Sequence, residues 1–193
     1  QPLAQSSIVG RNREVNRLTE AIEDVAEGRG SVWFLTGEPG IGKSRLAEEV
    51  ARLAREKGMR TFWGRCWEAG GAPAYWPWVQ VLRAVLRTAE PGRLDPYLST
   101  LAQILPELPR TQAAPESSDL GPDQARFQLM NAVSNVLADA AQTFPLVLVL
   151  EDLHVADVST VLLLEFLAAT VRHQPLLIVG TFREVELATA PAG

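Results

Sequence analysis

Gly37-Glu38-Pro39-Gly40-Ile41-Gly42-Lys43-Ser44, at residues 37–44, matches the pattern G-x-x-x-x-G-K-[ST] at every position. In this pattern the glycines let backbone N–H groups turn towards phosphate oxygens. The lysine reaches the terminal phosphates, and the hydroxyl can bind Mg²⁺. We therefore expect residues 37–44, extended by Arg45, to hold the phosphates of a nucleotide, with Ser44 as a metal ligand.

The segments on either side of this loop have the structure that the motif requires. Residues 31–36 form a short apolar run that predicts a buried strand. Apolar positions recur at helical spacing from Lys43 to Lys57. An ordinary Gly/Pro turn between a strand and a helix is the alternative, and the complete match in this context argues against it.

The rest of the chain alternates in the same way. Further strands are predicted at 61–64, 146–150 and 176–181, and helices near 15–25, 79–87, 94–105, 123–141 and 157–172. Since the strands are continuously apolar, they predict a parallel sheet covered on both faces. The expected fold class is α/β, a P-loop NTPase three-layer α/β/α sandwich with a mainly parallel sheet.

Domain organisation follows from this pattern. We expect residues 1–7 to be a disordered lead-in and 8–193 to be one nucleotide-binding domain. A mobile, proline-rich surface loop is expected at 106–122, with a functional lid as the alternative. The last long helix before the 146–150 strand is expected to bury one stripe of side chains, which comprises Phe127, Met130, Val133, Val136, Leu137 and Ala140.

Bulk properties exclude several classes of protein. The chain has 193 residues, a formal net charge of −5 and a single cysteine, Cys66. The charge favours no nucleic-acid contact, and one cysteine cannot form an intramolecular disulfide. With no long apolar run and no basic-then-apolar N-terminus, we expect no membrane partner and a cytoplasmic location.

Polar residues follow two of the predicted strands. Glu151 and Asp152 come directly after the 146–150 strand, and Thr181 and Arg183 end the 176–181 strand. Because the carboxyl ends of parallel strands share one edge, these residues are expected beside the phosphate loop. One acid would hold Mg²⁺ and the other would orient or deprotonate the attacking water. We favour Glu151 for the metal and Asp152 for the water, although the sequence leaves the reverse open.

Three other features each have two interpretations. Arg183 can touch the γ-phosphate as a catalytic sensor, or it can pair with Glu184 or Glu186 at the surface. His154 is more typical of a hydrogen-bonded structural residue than of a catalyst. The aromatic segment 75–78 is expected to pack within its loop, with contact to a partner or ligand as the alternative.

Five segments occur in an order that resembles a known family: 8–11, 37–44, 75–78, 150–157 and 180–183. Together they resemble the ATPase domain of STAND-type signalling proteins, which are AAA+-like. The resemblance is to the large LuxR-type regulators of the MalT kind and to bacterial ATPase modules fused to cyclase or kinase domains.

This resemblance implies several properties. The cofactors would be ATP or ADP with Mg²⁺, and Val9, Gly10 and Arg11 would lie against the adenine. The strand that carries Arg183 would insert between the phosphate-loop strand and the Glu151 strand. ADP would hold a closed state, whereas ATP would permit opening and self-association, with slow hydrolysis. The downstream domains of the parent chain would be the partners.

The chain also departs from the family pattern. Glu151 stands where an aspartate is usual, and Val155 where a tryptophan is frequent. The chain stops soon after Arg183, so we expect it to be truncated before the family's fifth strand, lid and winged helix, with weak turnover. One alternative is a P-loop small-molecule kinase, against which the lack of a convincing acceptor-binding Arg/Asp constellation argues. The other is an interaction module without turnover, against which the intact Lys43 and Ser44 argue.

Overall fold

The computed structural model describes residues 12–90, 92–109 and 121–183. The predicted lead-in at 1–7 and the predicted adenine segment Val9–Arg11 lie outside the described residues, as does most of the 106–122 loop. The elements are α1 (Asn12–Ala26), β1 (Ser31–Leu35), α2 (Lys43–Glu56), β2 (Arg60–Arg65), α3 (Trp76–Thr88), α4 (Asp95–Leu101), α5 (Pro122–Thr143), β3 (Leu146–Glu151), α6 (Val158–Thr170) and β4 (Leu176–Thr181), with 3₁₀ turns at Leu153–Val155 and Val171–His173.

The described strands form one parallel sheet in the order β1-β4-β3-β2. The chain therefore crosses over between β1 and β2 through α2, and β4 returns to pair with both β1 and β3. The strand that precedes Arg183 lies between the phosphate-loop strand and the Glu151 strand, so the expected strand order is confirmed. In this register Arg65 lies directly opposite Glu151 at the carboxyl end of β2 and β3.

Helices cover both faces of this sheet. Successive side chains of a strand point to opposite faces, and β3 divides accordingly. Val147 and Val149 join a core with residues of α1 and α2, whereas Leu146, Leu148 and Leu150 join a core with α3, α5 and α6. Because both faces are covered, every residue of β3 and β4 is buried. The expected α/β three-layer architecture is confirmed.

The first helix after β2 begins earlier than the sequence predicts. The pattern placed 75–78 in a loop and began the helix at Val79, but α3 starts at Trp76 with Pro77 in its first turn. Proline is well suited to this position, because a first-turn N–H has no intrahelical partner. Trp78 is completely buried, and its Nε1 donates a hydrogen bond of 3.1 Å to the Thr160 carbonyl.

The core stripe predicted for the long helix is wrong at its N-terminal end. Phe127 is 53% exposed and makes an edge-to-face contact with Phe166, with ring centroids 5.9 Å apart. The buried side chains of α5 lie on a rotated stripe, because the packing face is set by the neighbouring helices. They are Leu129, Ala132, Val133, Ser134, Val136, Leu137 and Ala141.

Two shorter corrections concern α4 and β1. The predicted helix 94–105 ends at Leu101, and turns then carry Leu105 into the core. The predicted buried strand 31–36 lies at the edge of the described sheet, and its Phe34 is 49% exposed. An edge strand has a neighbour on one side only, so its apolar residues are less covered. Among the described helices, none is long and apolar enough to span a bilayer.

Candidate functional site

The loop of residues 36–42 joins β1 to α2 with a backbone that glycine makes possible. Gly40 and Gly42 have φ angles of 79° and 93°, in the left-handed region that side chains disfavour. Gly42 is the N-cap of α2 and supplies no capping side chain. The N–H groups of the first helical turn and the positive end of the helix dipole are therefore available to an anion.

Lys43 bridges the beginning of this loop. Its Nζ donates hydrogen bonds to the carbonyl oxygens of Gly37, at 2.8 Å, and Glu38, at 2.9 Å. An ammonium group is thus fixed against the loop by neutral carbonyl groups. Ser44 follows in the first turn of α2, and its side chain is exposed, as are Arg45 and Ile41. Backbone N–H groups, an ammonium and a hydroxyl form a donor set suited to a polyphosphate with a bound Mg²⁺ ion.

The two predicted acids lie at the end of β3. Glu151 is buried, and strand alternation gives it the same face as Val149, which is the face covered by α2. Asp152 leaves the strand with a φ of 59°, which is unusual for a residue other than glycine. Its backbone N–H donates to the Thr181 hydroxyl at 3.0 Å. The ends of β3 and β4 are therefore joined at this point.

Arg65, which the sequence analysis did not single out, pairs with both acids. Its Nη2 lies 3.1 Å from Glu151 Oε2, and its Nε lies 3.4 Å from Asp152 Oδ2. The backbone of Arg65 is held from α3, because Gln80 Nε2 donates to its carbonyl at 2.9 Å and its N–H faces Gln80 Oε1 at 3.3 Å. Arg65 could have been predicted from its position, because it is the last residue of β2 and lies at the same sheet edge as the acids.

Arg183 is also engaged in an ion pair. Its Nη2 pairs with a carboxylate oxygen of Glu68, which lies in the turn after β2. The same oxygen is 3.7 Å from Nε2 of His154, whose side chain is 1% exposed. Glu184 and Glu186, the surface partners considered for Arg183, lie outside the described residues. Glu68 was missed because nothing in the local sequence around it indicates a partner 115 positions away.

Glu68, Asp152 and His154 bring potential metal-ligating atoms within 4.8 Å of one another. The carboxylates of this group already face cations, since Arg183 pairs with Glu68 and Arg65 with Asp152. The positive charge of these two guanidinium groups opposes a divalent ion at this position.

The aromatic segment 75–78 lies at the start of α3. Tyr75, in the left-handed region with a φ of 63°, directs its N–H towards Asp157 Oδ1 at 3.5 Å. Tyr75 and Trp76 line a groove of about 590 Å³ together with residues of α3 and α5. Trp76 is also 5.9 Å from the guanidinium of Arg83, a cation–π arrangement. The segment is therefore packed, as expected, but it forms the start of α3 rather than a loop, and its outer side is concave.

Cys66 follows Arg65 and is structural. Its N–H donates to the Glu151 carbonyl at 3.0 Å, which extends the pairing of β2 and β3 by one residue. Burial, together with the charges of Asp157 and Asp152, raises the pKa of the thiol to about 12. A protonated, buried thiol is a poor nucleophile and a poor metal ligand, which agrees with the expected inert role.

One family profile and one curated protein are similar to this chain in sequence. The sequence profile of a family described as "AAA ATPase domain" matches residues 7–179. An uncharacterized protein of Rhizobium meliloti (strain 1021) is 25% identical over 190 residues, which cover 91% of this chain. The chain spans only 18% of the length of that relative.

Solved structures resemble the chain more distantly. A chain in the structure of Drosophila ORC bound to AT-rich DNA and Cdc6 is similar over 93% of this chain and 52% of its own, with a TM-score of 0.41 and 12% identity. The ATPase domain of a protein named G40P is similar over 89% of this chain and 70% of its own, with a TM-score of 0.38 and 12% identity.

Proposed function

The chain belongs to the AAA ATPase domain family, and from this premise we propose that it binds Mg²⁺-ATP and ADP and acts as a slowly hydrolysing switch. One observation carries the proposal. An uncapped helix N-terminus with a fixed lysine follows β1, at the sheet edge where β3 ends in two acids and Arg183 follows β4. Phosphoryl transfer to water needs a phosphate cradle, a metal, an oriented water and charge neutralisation, and this edge offers a candidate for each.

In this proposal the loop of residues 37–45 holds the phosphates. The N–H groups of the loop and of the first turn of α2 donate to phosphate oxygens, because no side chain at Gly42 competes for them. Lys43 exchanges its two carbonyl partners for the β- and γ-phosphates, where its charge is matched by an opposite charge. Val9, Gly10 and Arg11 contact the adenine.

Ser44 and Glu151 are the proposed metal ligands. The face that Glu151 shares with α2 supports this assignment over the reverse one. When bound, Mg²⁺ neutralises charge that develops on the phosphates. Asp152 orients the attacking water and accepts its proton, and the bond from its N–H to Thr181 keeps its backbone in place.

Arg183 is the proposed sensor. It would contact the γ-phosphate of ATP, which ADP lacks, so that β4 reports which nucleotide is bound. The difference between the ATP-bound and ADP-bound states would be transmitted to further domains of the parent chain. The ATP-bound form would self-associate. By the resemblance to STAND-type proteins, the parent would be a cytoplasmic LuxR-type transcriptional regulator, with no direct nucleic-acid contact by this segment.

Substitution of Lys43 tests the nucleotide site. We expect Lys43→Ala to weaken Mg²⁺-ATP binding about 10- to 100-fold, because a charged hydrogen bond is worth about 1.5–3 kcal/mol. The measurement is isothermal titration calorimetry. Lys57→Ala is a matched control, since Lys57 is the other lysine of the chain, follows the C-terminus of α2 and pairs with Glu23.

Two results would contradict the proposal. Equal ATP affinity of the Lys43→Ala and Lys57→Ala proteins would refute the site. Rapid ATP hydrolysis by the wild-type chain would contradict a slow switch, and rapid phosphate transfer to a metabolite would instead indicate a kinase.

A further inference from the structure

Glu68 and Arg183 meet at the candidate nucleotide edge from two strands that are not neighbours. Arg183 follows β4, Glu68 follows β2, and β3 lies between these strands. The ion pair therefore spans the carboxyl end of β3, close to Asp152 and His154. The pair engages the guanidinium to which the proposed function assigns the γ-phosphate.

The pair contributes little to the fold itself. The side chains of Arg183 and Glu68 are 32% and 50% exposed, so water screens their attraction. A contact of this strength is easily exchanged for another partner of the same charge. The γ-phosphate of a nucleotide is such a partner, and it carries more negative charge than a carboxylate.

We propose that Glu68 is a positioning residue that competes with the γ-phosphate for Arg183 and thereby sets the preference for ATP over ADP. The inference rests on the proposed function and deepens it. Glu68 opposes ATP because it engages Nη2 of Arg183, the guanidinium that would otherwise pair with the γ-phosphate. ADP places no phosphate there, so its affinity is independent of the pair.

Calorimetry with two nucleotides measures this competition. Wild type, Glu68→Gln, Arg183→Met and the double variant are titrated with ADP and with the non-hydrolysable ATP analogue AMP-PNP, both with excess Mg²⁺. We expect Glu68→Gln to strengthen AMP-PNP binding about 2- to 5-fold, the range of an exposed ion pair, and to leave ADP binding unchanged. In the Arg183→Met background the same substitution has no effect.

Glu107→Gln is the matched control. Glu107 pairs with Arg83 at 2.6 Å, and the exposures of that pair, 47% and 33%, are close to those of Glu68 and Arg183. Its loss should leave both nucleotide affinities unchanged. Thermal unfolding of each variant should stay near the wild-type midpoint, as is usual for surface substitutions.

Several outcomes would overturn the inference. These are an equal gain for ADP and AMP-PNP, a gain that persists without Arg183, or weaker AMP-PNP binding, which would make Glu68 a cation ligand with Asp152 and His154. If wild type binds nucleotide through Lys43 but Glu68→Gln changes nothing, this inference alone fails. If neither wild type nor Glu68→Gln binds nucleotide, the proposed function fails with it.

Discussion

Gly64 in β2 lies in close contact with the N-terminus of α3. A methyl group at this position should force α3 away from β2. A Cβ at this position would lie 2.2 Å from the carbonyl oxygen of Pro77, 2.8 Å from its carbonyl carbon and 3.0 Å from its Cα. All three atoms belong to backbone, so no side-chain rotation relieves the contact. The N-terminus of α3 would have to retreat by roughly 1 Å to reach ordinary van der Waals separation.

The cost of Gly64→Ala can be worked out from this displacement. Overpacking a close contact costs about 1–3 kcal/mol, and movement of backbone favours the upper end. The restriction of the unfolded chain returns about 0.4–1 kcal/mol. We therefore expect a net loss of about 2 kcal/mol in the free energy of unfolding, which lowers the melting temperature by roughly 4–8 °C for a domain of this size.

Circular dichroism melting and urea titration measure this loss. Gly121→Ala is the control, since Gly121 has a φ of −60° and no described atom apart from those of its chain neighbours lies within 4 Å of the position that its Cβ would take. We expect that variant to remain within about 0.5 kcal/mol of wild type. A Gly64→Ala protein that melts within 1 °C of wild type would refute the close packing of α3 on β2.

Two further predictions concern the segment around the acids. Asp157 caps α6 by accepting hydrogen bonds from Thr160 N at 3.0 Å and Thr160 Oγ1 at 2.6 Å. Asp157→Ala should therefore lower the free energy of unfolding in urea by about 1 kcal/mol, whereas Asp157→Asn should keep most of the capping stability. Equal losses in the two variants would contradict the capping role. Cys66 has a pKa raised to about 12 by burial, so its neutral thiol should resist iodoacetamide at pH 8 until the protein unfolds. Fast labelling of the native protein would contradict a buried, neutral thiol. Because the folded-state pKa lies above the ordinary value of 9.0, the stability that the thiol contributes is complete below pH 9. That stability is lost as the pH rises from 9 towards 12.

The local parts of the fold were readable from residue spacing. The strands β3 and β4 and the helix α2 follow from apolar runs and helical periodicity, and each element forms within a few residues of its prediction. Residue spacing did not predict where α3 begins, because Pro77 is equally compatible with a loop and with a first helical turn. The exposure of Phe127 was also hidden, since periodicity defines a stripe but not the neighbour that covers it.

The candidate site also contains residues that local sequence predicts and residues that it does not. Spacing along the chain is enough to single out the glycine loop, Lys43 and the acids at the end of β3 as candidates, because each belongs to a local pattern of strand, turn and helix. Arg65 and Glu68 became visible only when parallel pairing placed the ends of β2, β3 and β4 side by side. Their charges are matched by residues 86 and 115 positions away, and a contact over such a distance depends on how the strands are ordered rather than on any local pattern.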